Sequence, residues 1–439
     1  MESYQFLLDI ALILFSTKLL GLFTRGLKMP QVVGSLLAGL LLGPAVLNIL
    51  HGTDFIKKVS ELGVIILMFT AGLETDVKEL RRAGKASLII AFAGVLLPLG
   101  GGFLIAHVFN RGDISSGNRL LQNVFIGVVL TATSVSITVE TLRELGKLDT
   151  RVGSAILGAA LIDDILGILA LTVITSSTGG GAGIGLVLLR ILLFFAFVAV
   201  TGFAFYKLFM RLIKLFKKDL RRFAVVAFVF CLLMAYCAEE FFGVADITGA
   251  YIAGLIICNT QKTKYIASRF DTLSFLLLSP IFFASIGIEV VLPQMSGNII
   301  LFTVLLLIVS ILTKIVGCGL GAKACGYPGK ESLQIGLGMI PRGEVTLIIA
   351  QKGVALGVMN TAFYGPIIIM VVVTAIVTPV LFKLAVGRQE GTDKYAGIVE
   401  SPLVDRYRET EQFDLAQQVL LELHESLKGN SEDSEDKPN

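Results

Sequence analysis

The chain has 439 residues, 54% hydrophobic and 16% charged, where water-soluble domains carry about 25% charged residues. A mean hydropathy of +0.81 with a net charge of +3 excludes a soluble globule and gives no reason to expect nucleic acid as a partner; it leaves a polytopic membrane protein. Cys231, Cys237, Cys258, Cys318 and Cys325 stand at no metal-ligand spacing and histidines number three, so the cysteines read as free core residues and no cofactor is expected.

The N-terminus lacks a basic region followed by a small-residue cleavage site, so its first apolar run reads as a retained helix. Crossing a bilayer takes roughly 20 apolar residues. Runs of that kind lie at approximately 6–23, 30–47, 58–74, 86–109, 120–142, 151–176, 184–209, 221–242, 245–259, 270–288, 298–321, 332–356 and 361–386. Thirteen segments place the two ends of the chain on opposite sides. Alternate loops carry twenty-one Lys and Arg, from Arg25 and Lys28 to Lys323 and Lys330, against five, Lys57, Lys58, Arg111, Arg119 and Lys352. The positive-inside rule then sets the N-terminus outside and the C-terminus in the cytoplasm of a bacterial inner membrane.

The Gly179 to Gly183 run, between segments six and seven, lacks the flanking strand and basic residue of a phosphate cradle and reads as a flexible loop. From about Arg388 the chain turns polar. An amphipathic stretch from Val404 to Leu427 precedes a charged end, Ser431 to Asn439, whose composition reads as disordered. The chain therefore divides into a transmembrane domain, 1–387, and a short cytoplasmic tail, 388–439.

The membrane domain repeats itself. Gly34, Ala38 and Gly39 recur 215 residues on as Gly249, Ala253 and Gly254, and Gly72-Leu73-Glu74 recurs at the same offset as Gly287-Ile288-Glu289. Seven crossings separate segments two and nine, so the copies, approximately 6–176 and 221–386 with 184–209 as a linker helix, run in opposite directions. Inverted repeats of this kind are a common build of secondary transporters, with substrate held near the midplane at broken helices. Segment five carries Thr131-Ala132-Thr133-Ser134-Val135-Ser136, hydroxyl and β-branched residues that form helix poorly. Segment twelve carries Gly336, Gly338, Pro341 and Gly343 around Arg342 and Glu344, and the proline removes a backbone donor. Aligning Ser134-Val135-Ser136 with Glu344-Val345-Thr346 makes the breaks equivalent and opposes half-helix dipoles near the membrane centre.

A charge at the middle of a membrane helix costs about 2.5–3.5 kcal/mol on insertion scales, so each calls for a partner or a task. Asp163 and Asp164 lie midway along segment six, Lys314 lies deep in segment eleven, and Arg342 with Glu344 lies in segment twelve. Successive helical residues point about 100° apart. One aspartate can therefore hold Lys314 while the other faces a water-filled cavity. An alkali cation wants oxygen ligands, which Asp164 supplies together with Thr133 and Ser134. A proton and a cation competing for that carboxylate produce coupled exchange, and proton release from Lys314 when Asp163 is freed adds a second proton. An interhelical ion pair that only holds the bundle is the plainer reading of Asp163 with Lys314. Arg342 reads as the salt-bridge partner of Glu344 or Glu74, propping the broken helix. Glu239 and Glu240 close a helix end and meet water, and Lys18 snorkels.

These motifs, "AGLETD" at 71–76, "TATSVSIT" at 131–138, "LIDDILGI" at 161–168, "SILTKIVG" at 310–317 and "GMIPRGEVTLIIA" at 338–350, resemble those of bacterial sodium/proton antiporters of the NapA and NhaA kind, in the cation:proton antiporter-2 (CPA2) family. The resemblance implies an all-α fold with crossing broken helices, and a homodimer in the lipid bilayer built from a dimerisation domain and a six-helix core that moves like an elevator. It further implies Na+ (or Li+) and H+ binding at Asp164 near Thr133 and Ser134, and a salt bridge from Asp163 to Lys314. The doubled aspartate is similar to the electrogenic branch, and Ser134 stands where the NhaA branch has an acidic residue. Related potassium-efflux systems generally carry a large nucleotide-binding domain, which this chain lacks, so a K+/H+ antiporter or K+ pore is the alternative.

Overall fold

The computed structural model describes residues 4–26, 29–110, 119–177, 184–215, 220–260, 262–290 and 297–386. The Gly179 to Gly183 run and the tail, with its 404–427 stretch, lie outside the described residues. In chain order the helices are α1 (Gln5–Gly26), α2 (Gln31–Leu42), α3 (Asp54–Glu74), α4 (Val77–Phe109), α5 (Arg119–Val129), α6 (Val135–Glu144), α7 (Arg151–Ser177) and α8 (Ile184–Leu215). They continue with α9 (Leu220–Phe242), α10 (Asp246–Ile257), α11 (Thr263–Leu273), α12 (Ser279–Ile288), α13 (Gly297–Ala324), α14 (Gly329–Gly338), α15 (Glu344–Ala355) and α16 (Tyr364–Val386). A π-helical turn, Ser274–Leu278, joins α11 to α12. Among the described residues every regular element is helical.

Local chemistry explains several boundaries. Thr53 caps α3 by accepting from the Ile56 N–H at 3.3 Å, and Asp76 caps α4 by accepting from the Lys78 N–H at 2.7 Å; both occupy orphan donors of a first turn. Gly243, at φ +65°, closes α9 in the left-handed region that other residues enter at a cost.

Among the described residues eight stretches of helix are long and apolar enough to cross a membrane by length and composition, so this is a multi-pass membrane protein. α8 shows an apolar outer surface, with Leu188, Leu189, Leu192, Val200 and Phe203 exposed, as a helix against lipid does. Two of the expected segments are shorter than their sequence suggests. α2 and α10 are twelve residues each, about 18 Å at 1.5 Å per residue, against a hydrocarbon core of about 30 Å. The apolar run at 30–47 ends its helix at Gly43, and the chain turns back there, with Leu50 N–H donating to Leu42 O.

The internal repeat is visible in the elements. α1 and α9 begin 215 residues apart, α2 and α10 match at both ends at that offset, and α4 and α13 end at it. The packing repeats as well: α2 lies against α1 and α12, as α10 lies against α9 and α3. The recurring glycines sit at these crossings. A Cβ on Gly39 would stand 1.9 Å from Ala284 O, and one on its counterpart Gly254 would stand 2.3 Å from Phe69 O. The sequence repeat is thus a packing requirement, because only glycine lets the two backbones approach so closely.

Packing sorts the helices into two groups. One comprises α4 to α7 and α13 to α16, centred on α4 against α13; the other comprises α1 to α3 and α9 to α12. α8 touches α7 on one side and α9 and α10 on the other. Direct contact between the groups runs chiefly through α6 and α16, which meet α2 and α3.

Candidate functional site

Both helices that the sequence marks as breakable are interrupted. α5 ends at Val129 and α6 begins at Val135; α14 ends at Gly338 and α15 begins at Glu344. The two interruptions bind each other. The Ser134 N–H donates to Pro341 O at 2.7 Å, and Thr138 Oγ1 donates to Gly338 O at 2.8 Å. A Cβ on Gly343 would lie 2.5 Å from Ser134 Oγ, so the second break presses directly on the hydroxyl of the first. Ser134 Oγ also lies 3.1 Å from Ser136 Oγ. Each break leaves helix-end groups without intrahelical partners, and the crossing supplies some of them.

Arg342 is fully buried and sits within this crossing. Its Nη1 donates to Ala132 O at 2.6 Å and reaches Thr131 O at 3.5 Å, and Nη2 reaches Ser310 O at 3.4 Å. Its backbone N–H donates to Thr374 Oγ1 at 3.2 Å. The expected salt bridge from Arg342 to Glu74 does not form. Glu74 instead meets Arg143 Nη2 at 3.5 Å, while the guanidinium of Arg342 serves the carbonyls just beyond the C-terminal end of α5. The physical reason is local. Breaking α5 exposes carbonyl oxygens in a dry interior, and a rigid five-donor guanidinium satisfies several at once while its charge suits a helix C-terminus. The side chain of Glu344 lies outside the described residues.

Asp163 and Asp164 occupy neighbouring positions on α7 and diverge as the helical geometry requires. Asp163 is 1% exposed and receives both contacts of Lys314 Nζ, at 3.1 Å to Oδ1 and 3.2 Å to Oδ2. Lys314, on α13, has no exposed surface. Gly94 of α4 makes room for the neighbouring Cys318, since a Cβ there would stand 2.5 Å from its Sγ, and the same face lies 3.7 Å from Lys314 Nζ. Arg342 lies within electrostatic reach of both Asp163 and Lys314. Asp164 is 8% exposed as a residue, and both oxygens of its carboxylate are buried. α7 packs against both α5 and α6, so the aspartate helix adjoins the break that carries Thr133 and Ser134.

Several buried oxygens near these elements are unsatisfied. Thr133 Oγ1, Thr346 Oγ1 and Ser154 Oγ have no hydrogen-bond partner among the described residues. A buried polar atom without a partner costs about 1–3 kcal/mol, so such groups mark places where a water, ion or ligand belongs. Thr133 lies in the first break, Thr346 in the first turn of α15 just after the second, and Ser154 on α7 with the aspartates. Among the described residues no group of His, Cys, Asp and Glu is arranged as a multidentate metal cage.

Sequence reasoning missed the charged end of α6. Glu140 falls inside the fifth expected segment, with Arg143 and Glu144 following at helical spacings of three and four. Glu144 accepts from the backbone N–H groups of Gln31 and Val32 at 2.7 and 3.0 Å, and Arg143 pairs with Glu74 and Asp271. The signal was the i, i+3, i+4 spacing of three charges closing an apolar segment.

The chain matches the family model described as sodium/hydrogen exchanger, transmembrane, over residues 11–386. It is 37% identical to the Na(+)/H(+)-K(+) antiporter GerN of Bacillus cereus, spanning 88% of this chain and 98% of that one. It is 34% identical to a Na(+)/H(+) antiporter of Enterococcus hirae, spanning 86% and 97%. Among solved structures it resembles the sodium proton antiporter MjNhaP1 of Methanocaldococcus jannaschii with a TM-score of 0.68 at 20% identity, covering 90% of this chain and all of that one.

Proposed function

Because the chain belongs to the sodium/hydrogen exchanger family, a family of transporters rather than enzymes, we propose that it exchanges Na+ (or Li+) for H+ across the bacterial inner membrane, with Asp164 as the shared site. One observation carries the reading: two interrupted helices cross beside α7, where Asp163 is bound to Lys314 and the neighbouring Asp164 supplies a second buried carboxylate. The unsatisfied hydroxyl of Thr133, with Ser134 close by in sequence, supports these two as further ligands. A carboxylate that binds either a proton or a cation, and never both, couples the two flows without further machinery.

In this reading the pairing of Asp163 with Lys314 opens during the cycle. If Lys314 sheds a proton on opening, two protons move per cation and transport is electrogenic. The two packing groups correspond to a moving core, α4 to α7 with α13 to α16, and a dimerisation domain containing α1 to α3 and α9 to α12; their alternation is of the elevator kind. The thirteen helical segments cross the membrane as an inverted repeat, with the N-terminus outside. The family branch is the cation:proton antiporter-2 one. A second ion reading has its own support: the relative at 37% identity is named for K+ as well as Na+, so K+ is a candidate substrate of the same site. Neither reading needs a cofactor.

Purified protein in proteoliposomes, with a trapped pH dye, tests this. Adding Na+ should move protons in a saturable manner, and Asp164→Asn should abolish the movement. Wild-type rates in Asp164→Asn would remove Asp164 from the site. Comparing Na+, Li+ and K+ at clamped and free membrane potential decides ion choice and electrogenicity.

A further inference from the structure

α6 has two ends with different tasks. Its N-terminus meets the crossing at Ser134, while its C-terminus leaves the first packing group and binds the second. Arg143 pairs with Glu74 at the end of α3 and with Asp271 of α11; the three side chains are 10%, 12% and 13% exposed. Glu144 places its two oxygens on the N–H groups of Gln31 and Val32, one on each. Those are first-turn amides of α2, whose own N-cap residue is Pro30 and offers no side-chain hydrogen bond. Glu144 therefore caps a helix of the other group, its two oxygens occupying orphan N–H groups at the positive end of that helix. Glu140, one turn before Glu144, has a buried Oε2 without a hydrogen-bond partner among the described residues.

We propose that Arg143 and Glu144 are positioning residues that lock α6 to α2, α3 and α11 and so hold the ion site shut on the side of the α6 C-terminus. The lock follows from reach. Hydrogen bonds of 2.7 and 3.0 Å fail once the groups separate by more than about 1 Å, so α6 cannot move against α2 while they persist. The salt bridges bind the same half-helix to two further helices, in a partly buried setting where screening is weak. Opening of this side requires all of these contacts to break together, and that makes the closed arrangement a discrete state. The sidedness of the effect rests on the transport reading above; the lock itself does not.

Two measurements on the full-length protein test the proposal. Hydrogen exchange followed by mass spectrometry, in detergent and without added sodium, reads peptides covering 29–36 and 135–145. Glu144→Gln and Arg143→Gln should each accelerate exchange in both peptides about tenfold or more and leave α15 unchanged. In proteoliposomes of defined orientation, Arg143→Gln should lower the KM for sodium about fivefold on the face where α6 ends and raise it on the other, as a loss of about 1 kcal/mol from one of two states requires. Arg143→Lys should restore most of the wild-type asymmetry. Unchanged exchange in the two peptides overturns the lock, as does a fall in kcat with both KM values unchanged. If Arg143→Gln fails to fold, Glu144→Gln, nearly isosteric, carries both measurements. A wild-type protein without sodium-driven proton movement defeats the transport reading, and hydrogen exchange then decides the lock alone.

Discussion

Replacing Lys314 by Met probes the buried pair at its strongest point. Lys314 Nζ lies 3.1 Å from Asp163 Oδ1, and neither side chain has exposed surface. Two unit charges at that separation attract by about 5 kcal/mol at an effective dielectric near 20, and desolvating the ions costs several kcal/mol each. The pair as a whole therefore contributes little net stability, but removing one partner strands the other. Lys314→Met should destabilise the protein by about 3–5 kcal/mol, whereas Asp163→Leu with Lys314→Met should return to wild-type stability or exceed it by about 1–4 kcal/mol. The coupling energy from the full double-mutant cycle should then be at least about 3 kcal/mol. Since the chain has no tryptophan, thermal unfolding in detergent is best followed by light scattering or by a fluorescent fusion. The same double variant should retain sodium-driven proton movement through Asp164 and lose its dependence on membrane potential. Additive effects within about 0.5 kcal/mol would show that the two charges are not coupled and would refute the reasoning.

Gly72→Ala places a Cβ 2.2 Å from Tyr251 O, so it should lower the unfolding temperature through overpacking worth about 1–3 kcal/mol or more. Gly84→Ala, on α4 with nothing within 4 Å, should be neutral or stabilising by about 0.5–1 kcal/mol, and equal losses in both variants would contradict the close-crossing account. Arg342→Met should cost about 1.5–3 kcal/mol, chiefly through the 2.6 Å bond to Ala132 O; Arg342→Lys should recover part of it, and full stability in Arg342→Met would show that the carbonyls are satisfied otherwise. Thr133→Val removes one hydroxyl of the proposed cation site, and should raise the KM for sodium about tenfold with kcat little changed; an unchanged KM would remove Thr133 from the ligand set.

Much of the architecture is written in the chain because membrane insertion imposes local rules. A residue facing lipid must be apolar, so spans declare themselves, and a charge kept within one, such as Asp163 or Lys314, signals a partner before any coordinates exist. The repeat was legible for a similar reason: Gly39, Gly72, Gly254 and Gly287 meet backbone at less than 3 Å from a Cβ, and no other residue fits. The breaks at 130–134 and 339–343 were announced by hydroxyl, glycine and proline chemistry acting within a single helix turn.

The partners of Arg342 and of Glu74 were not legible. The sequence offered Glu74 as a partner for Arg342, yet the structure gives the guanidinium Thr131, Ala132 and Ser310 carbonyls, because breaking α5 exposes acceptors that sequence distance hides. Glu74 accordingly belongs to Arg143, and the termination of α2 and α10 at twelve residues follows from how their ends turn, which apolar runs do not record. What the sequence by itself determined was the multi-pass membrane class, the duplicated glycine crossings and the buried charges, each enforced by the immediate surroundings of one residue. Only the tertiary structure decided which charge meets which acceptor, and that Glu144 caps a helix more than a hundred residues away, because those pairings depend on the arrangement of helices that pack only after the whole chain has assembled.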